Sequence, residues 1–269
     1  RRPPRSTLDR SSAASDVYKR QLEGVDHLDW PHSIKELQRN WIGKSEGANI
    51  HFHIPSIDKN LAVFTTRPDT IFGATYMVMA PEHPWVDLLT PPERKNAVEK
   101  YREEAAKKSE LDRTELNKEK TGVFLGIFAI NPANGKEIQV WISDYVIMSY
   151  GTGSIMAVPG QDQRDWEFAE KYNLPILRTV EPEGGFDGEA YLGEGQAINS
   201  EFLNGLLVDE AKEKITDWLI KENLGEKAVQ YKLRDWLFSR QRYWGEPIPI
   251  LSLIHISEPT RPRLISYAV

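Results

Sequence analysis

The sequence predicts an α+β fold in which many short strands, separated by a few helices, make a barrel-like sheet. Three observations carry this expectation. Short blocks rich in β-branched and aromatic residues recur between residues 48 and 158. Turn dipeptides and prolines punctuate them, and two later segments change to helical spacing. No internal repeat is visible, so a repeat array is not expected.

Residues 22–41 read as a short helical stretch, with Pro31 and Ser33 near a start and Ile34, Leu37 and Trp41 at helical spacing. His51-Phe52-His53-Ile54 alternates as a strand does. Leu61 to Thr66 is an apolar strand closed by Arg67-Pro68-Asp69, and Ile71 to Ala80 is a second, ended by Pro81. Thr90-Pro91-Pro92-Glu93 opens a charged helix to about Lys108, read as a solvated surface insertion. Strands return at 122–130, at 137–140 after an Asn134-Gly135 turn, and at 145–148. Gly151-Thr152-Gly153 turns the chain into a strand at 154–158. A helix over 162–172 places Trp166, Ala169 and Tyr172 on one side. Another over 209–223 turns Ala211, Ile215, Trp218 and Leu219 inward and stops at Gly225.

The 269 residues hold one large domain or two modest ones, with ample apolar material for a core. No apolar run approaches the roughly 18 residues needed to cross a bilayer. With no cysteine, disulfides and thiolate metal sites are excluded, and a cytoplasmic setting is expected. The net charge of −6 conceals a split. Residues 1–21 are basic, with Arg1, Arg2, Arg5, Arg10, Lys19 and Arg20 against Asp9 and Asp16, so the body is more acidic than the whole. An acidic body cannot hold long stretches of phosphate backbone through its overall field, so any nucleic acid must be read at a small local site.

The two ends carry no periodic apolar pattern. Ser11 through Gln21 and Leu251 through Arg263 resemble translated sequencing-adapter sequence. Residues 1–21 and 251–269 are therefore expected to be non-native, with natural sequence over 22–250.

Within the body, Thr65-Thr66-Arg67-Pro68-Asp69-Thr70 is the densest polar cluster at a strand end. Its hydroxyls, guanidinium and carboxylate could bind an ester carbonyl, a ribose and a phosphate together, or could simply cap a turn. Asp162-Gln163-Arg164-Asp165 opens a helix. Asp162 suits the N-cap, and Asp165 sits where the helix dipole favours an ionised carboxylate able to bind an ammonium group. Pure capping explains it as well. Gly151-Thr152-Gly153 is not a phosphate loop, because no Gly-Lys-Ser/Thr follows. His51 and His53 share a strand face without a third ligand, so no metal site is expected. No nucleophile-base arrangement is recognisable.

Together and in order, these runs resemble leucyl-tRNA synthetase of the bacterial type over essentially all of 22–250. The matching segments are Gln38 through Gly47, Phe64 through Gly73, Tyr150 through Pro159 with Asp162 to Asp165, and Leu233 through Pro249. The valyl and isoleucyl enzymes are the alternative families. The valyl one typically carries Glu where this chain has Asp69. The resemblance implies an editing domain over 45–225, a connection from the catalytic domain over 22–44, and a return to that Rossmann domain over 226–250. Arg240 through Gly245 lies in the returning segment.

The implied activity is hydrolysis of mischarged aminoacyl-tRNA(Leu) by water, with neither metal nor covalent intermediate. By similarity Thr65, Thr66 and Asp165 are the catalytic residues. Thr65 and Thr66 contact the ester and ribose, and Asp165 holds the substrate ammonium. Arg67 orients the terminal adenosine, Thr70 is the gate against leucine, and Tyr150, Met156 and Val158 line the pocket. Asp69, Asp162 and Arg164 complete the binding set. Implied partners are the tRNA(Leu) acceptor end and noncognate amino acids such as isoleucine, methionine or norvaline, handled by a monomer. The family usually places His where this chain has Gln161. No His-x-Gly-His and no Lys-Met-Ser-Lys-Ser occurs, so activation of leucine with ATP and Mg2+ is expected of a full-length parent only. An inactive binding module or a truncated reading frame are the alternatives to an active hydrolase.

Overall fold

In the computed structural model the described residues are 18–108, 112–113, 120–148, 151–182, 184, 186 and 188–231. The adapter-like segments, except for residues 18–21, fall outside them, as do Tyr150, Leu233 through Pro249 and the Arg240–Gly245 run. The chain divides into two compact units, one of residues 1–45 with 231–269 and one of Glu46–Gln230.

In the first unit, α1 spans residues 18–27 and α2 spans His32–Ile42. The single helical stretch expected from sequence is thus two helices, interrupted where Pro31 cannot continue the hydrogen-bond ladder. Arg39 joins them through its ion pairs with Asp26 and Glu36. Gly43 takes a left-handed conformation, φ 61°, and ends α2.

The second unit is a curled sheet with helices packed on it. The strands are β1 Lys44–Ile54, β2 Lys59–Thr65, β3 Tyr76–Met79, β4 Gly122–Ile130, β5 Glu137–Ser143, β6 Ser154–Ala157 and β7 Gly225–Tyr231. They pair in the order β2-β1-β4-β5-β3-β6, with β7 added to β1. All resolved pairings are antiparallel except β3 with β5. The hydrogen-bonded path is open, yet its end strands β2 and β6 approach one another. The expected barrel is therefore curled but unclosed, and the gap falls between β2 and β6.

Strand patterning fixes what each face buries. In β1, Ala48, Ile50, Phe52 and Ile54 alternate inward and are fully buried, while His51 and His53 face the other way. Registers such as Ile50 with Val63 and Phe52 with Leu61 place their neighbours in the same core. β3 is buried on both faces. Met77 and Met79 join the main core, whereas Tyr76 and Val78 join a second one. A short central strand covered on both sides must be apolar throughout, which is why Tyr76-Met77-Val78-Met79 shows no alternation.

The second core is aromatic and belongs to α5, Gln163–Tyr172. Phe168 is fully buried and stacks on Tyr76, with ring centroids 5.3 Å apart and 16° between planes. Trp141, Tyr145 and Tyr172 surround the same ring at 5.4, 5.9 and 4.5 Å. The helix face that packs is Asp165, Phe168 and Ala169 with Tyr172 beside them. Ala169 and Tyr172 thus lie on the packed side that spacing grouped them on, while Phe168 and Asp165 take the central place instead of Trp166. An acidic residue in that stripe hid its centre.

The remaining helices are α3 Val86–Leu89, α4 Lys95–Ala106 and α6 Val208–Lys221. α4 is less solvated than its charge implies, since Val98, Tyr101 and Ala105 are buried. α6 buries Ala211, Ile215, Thr216 and Leu219 and ends at Asn223, whose φ is 56°. Gly225 has a different task from the helix stop expected of it. It begins β7 where a Cβ would lie 2.5 Å from the Asn49 carbonyl oxygen, so only glycine lets that strand reach β1.

Because Phe168 fastens α5 to β3, Phe168→Ala is expected to destabilise the fold by about 3–5 kcal/mol, the usual cost of emptying an aromatic site. Chemical denaturation followed by tryptophan fluorescence checks it, and a cost under about 1 kcal/mol would show that α5 is held by something else.

Candidate functional site

Where β2 ends, the chain must leave the sheet in one step. Thr65 is the last strand residue, and Pro68 opens a 3-10 helix over Pro68–Gly73 that is buried throughout. Thr65 Oγ1 accepts from the Arg67 backbone N–H at 3.0 Å. Asp69, 4 % exposed, receives two-point hydrogen bonds from the Arg67 guanidinium at 2.8 to 3.2 Å. Thr70 donates its hydroxyl to the Arg67 carbonyl at 2.9 Å and is 2 % exposed. The turn is thus internally closed, with Thr65 half-buried and Thr66 exposed at its lip. Gly47, opposite in β1, is required because a Cβ there would lie 2.1 Å from the Thr65 carbonyl oxygen.

The second half of the site is the step from β6 into α5. Asp162 is the N-cap, accepting from the backbone N–H groups of Arg164 at 2.8 Å and Asp165 at 3.2 Å. The Val158 carbonyl accepts from Asp162 N–H at 3.0 Å, while the Val158 N–H donates to the Asp165 carboxylate at 2.8 Å. Strand end and helix start are therefore tied in both directions. Gly160 sits between them, and a Cβ there would meet the Leu177 carbonyl oxygen at 2.6 Å. Gln161, which follows, accepts from the Thr179 hydroxyl at 3.0 Å, and its buried Nε2 has no hydrogen-bond partner.

A cavity of about 170 Å³ lies between these two halves, lined by Phe64, Thr65, Thr66, Ile155, Met156, Asp162, Arg164 and Asp165. Six of the residues singled out from sequence meet there: Thr65, Thr66, Met156, Asp162, Arg164 and Asp165. Arg67, Asp69, Thr70 and Val158 stand behind the wall rather than on it. Arg67 is committed to Asp69, Thr70 supports the turn from below, and Val158 acts through its backbone. Tyr150 is outside the described residues. Phe64 and Ile155 supply apolar wall that sequence reading missed. Both lie in apolar blocks that the sequence shows as strands, but the adjacency of those strands is not visible there.

Asp165 departs from the permanently ionised carboxylate expected at a helix N-terminus. It is 5 % exposed, and burial pushes its carboxyl up to about 7, with the Asp162 charge adding to the rise. The Val158 N–H, Arg164 and the Tyr145 hydroxyl, 3.2 Å from Oδ1, pull the other way without cancelling it. Desolvation outweighs the dipole because the dipole's field is spread over a whole turn, whereas lost hydration acts on the carboxylate itself. The result is a carboxyl able to change charge near neutrality, facing two threonines across a cavity with one apolar wall. Among the described residues no group of three or more His, Asp or Glu side chains could hold a metal ion, and none of their helices is long and apolar enough to cross a membrane.

Comparison with known proteins identifies the family. The family model for the leucyl-tRNA synthetase editing domain matches residues 39–220. The chain is similar to a leucine–tRNA ligase of Chloroherpeton thalassium, 54 % identical over 255 residues that make up 93 % of this chain but 31 % of the relative. It also resembles the agnB2 LeuRS of Agrobacterium radiobacter K84, solved as a ternary complex with tRNA and LeuAMS. There the identity is 31 %, the TM-score 0.64, and the match covers 82 % of this chain and 24 % of that one. The chain thus spans about a third or less of the relatives it matches. On its sequence and its fold, it belongs to the leucyl-tRNA synthetase family and carries that family's editing domain.

Proposed function

We propose that this protein hydrolyses mischarged aminoacyl-tRNA(Leu), removing noncognate amino acids such as isoleucine, methionine or norvaline from the acceptor end. The observation that carries the proposal is the opposition of Asp165 to Thr65 and Thr66 across one small cavity. The Asp165 carboxylate supplies the negative charge an α-ammonium needs, and Phe64, Ile155 and Met156 supply apolar wall for its side chain. Thr65 Oγ1 already accepts from the Arg67 N–H, which leaves its proton to donate toward the ester. A hydroxyl so aimed stabilises the oxyanion formed when water attacks the carbonyl.

The acidic body fits recognition confined to the terminal nucleotide. Arg164, paired with Asp162 at 3.4 Å, is the cation among the residues lining the cavity and the group we assign to a phosphate of the acceptor end. A second sieve of this kind answers a simple limit, since one methyl group yields only about 1–3 kcal/mol of discrimination in a synthetic site. The editing unit is Glu46–Gln230, acting in the cytoplasm as a monomer, with ATP and Mg2+ needed by the synthetic part of the parent ligase and not by this cavity. Release of isoleucine from isoleucyl-tRNA(Leu) above the buffer rate tests the proposal directly.

Three outcomes are expected. The hydrolysis rate, corrected for spontaneous ester loss, rises with pH through about 7 as Asp165 ionises, and falls again above about 8 as the substrate's amino group loses its proton. A flat profile over this range would remove Asp165 from the substrate's ammonium. Asp165→Asn abolishes hydrolysis yet stabilises the fold. In wild type the folded carboxyl titrates about 7 and the unfolded near 3.9, so the penalty is absent below pH 4, grows between 4 and 7, and is complete above 7. The asparagine variant escapes it, and its gain at pH 8 should be about 4 kcal/mol by thermal unfolding, vanishing at pH 4. Finally, Thr70→Ala frees the Arg67 carbonyl and leaves a methyl-sized space beneath the turn, so correct leucyl-tRNA(Leu) should be hydrolysed about 10- to 100-fold faster than by wild type. Unchanged rejection of leucine would show that the turn tolerates the loss.

A further inference from the structure

Asp165 is gripped by more than its own helix. The Tyr145 hydroxyl lies 3.2 Å from its Oδ1, and the Tyr76 hydroxyl donates to its backbone carbonyl at 2.9 Å. The two phenols come from separate places, Tyr76 from β3 and Tyr145 from the turn after β5, and both rings pack on Phe168 of α5. Tyr145 and Tyr76 are both buried, at 7 % and 0 % exposure, so neither is available as a contact for a large ligand.

We propose that Tyr145 is the positioning residue of this site, fixing the orientation and proton affinity of the Asp165 carboxylate through its hydroxyl while Tyr76 anchors the same residue's backbone. The inference rests on the hydrolase reading for its consequence in catalysis, but its physical content concerns Asp165 alone. The groups facing that carboxylate are Asp162 and Arg164 on its own helix, the Val158 N–H from the end of β6, and Tyr145, whose hydroxyl is itself in contact with the Tyr76 phenol. Asp162 pushes the carboxyl up, and the other three favour its ionised form. Of these, only Tyr145 is a neutral side-chain donor, so its hydroxyl can be deleted without changing any charge. Burial pushes the Tyr145 phenol far above its ordinary range, so it stays a donor at every working pH. A hydrogen bond to an ionised group is worth more than one to a neutral group, so its loss falls mainly on the carboxylate state.

The test uses the full chain with Tyr145→Phe, which keeps the ring against Phe168 and removes one hydroxyl. The Asp165 midpoint is followed in ligand-free protein by the carboxyl 13C shift, assigned by its absence in Asp165→Asn. Hydrolysis of isoleucyl-tRNA(Leu) is measured across the same pH range. The Asp165 midpoint should move up by about one pH unit, and the acid limb of kcat should move with it. The deficit should be about fivefold at pH 7 and shrink by pH 8.5, a recovery that general loosening of the fold would not give. Incorporation of 3-fluorotyrosine at position 145, a stronger donor that retains the hydroxyl, should move the midpoint downward and serves if Tyr145→Phe does not fold. A midpoint that moves in neither form overturns the proposal, whatever the hydrolysis rate. A midpoint that moves as stated in a protein that hydrolyses nothing supports the role of Tyr145 and overturns the hydrolase reading instead.

Discussion

Burying one carboxylate against the second core is the constraint on which the rest of the site depends. Asp165 occupies a position in α5 that ordinary packing would give to an apolar side chain, between Phe168 and the end of β6. Two hydrogen bonds, from the Val158 N–H and the Tyr145 hydroxyl, make that burial tolerable. To supply them, β6 must end where its last amide points at the helix, and the turn after β5 must bring a phenol to the same place. The doubly buried β3 adds the third tie, because Tyr76 reaches the Asp165 backbone only from the face that packs on α5.

The opposite wall obeys a different logic. The threonine-rich turn is held by its own hydrogen bonds, with Arg67 and Asp69 locked together and Thr70 closing on the Arg67 carbonyl. It is tied to the sheet through Gly47, where the backbone of β1 comes too near the Thr65 carbonyl for any side chain. Two preorganised walls, each fixed without reference to the other, leave a gap whose width is set by how tightly the sheet curls. An unclosed sheet edge is usually a liability, and here the space between β2 and β6 is what becomes the cavity.

Charge completes the picture. A carboxyl raised to about 7 costs the fold stability, a loss that accrues between about pH 4 and 7, and on the hydrolase proposal that cost is what keeps an anion ready for an ammonium. The acidic body offers no field that would hold nucleic acid at large, and on the hydrolase proposal an acceptor end would be met by a few groups at the cavity, Thr66 and Arg164 among them.

Much of this was legible in the sequence because it is local. Most strand blocks, the Asn134-Gly135 turn, the Asp162 cap and the polar run after Thr65 depend on residues within a few positions of each other and appear where spacing placed them. However, 145–148 is a turn instead of the expected strand, and the expected 71–80 strand shrinks to Tyr76–Met79 because Pro68–Gly73 winds into a 3-10 helix. The errors were also local in origin. A charged residue in a buried stripe hid the central place of Asp165 and Phe168 on the packing face of α5, Pro31 split one expected helix into two, and Gly225 marks a close approach of strands, not a helix end. What the tertiary structure alone decided is which strands meet. Phe64 and Ile155 became walls of one cavity, and Tyr145 became the partner of Asp165, through pairings between segments far apart in the chain. The sequence also misjudged the ionisation of Asp165, because a helix dipole can be read from position while desolvation depends on everything packed around the group.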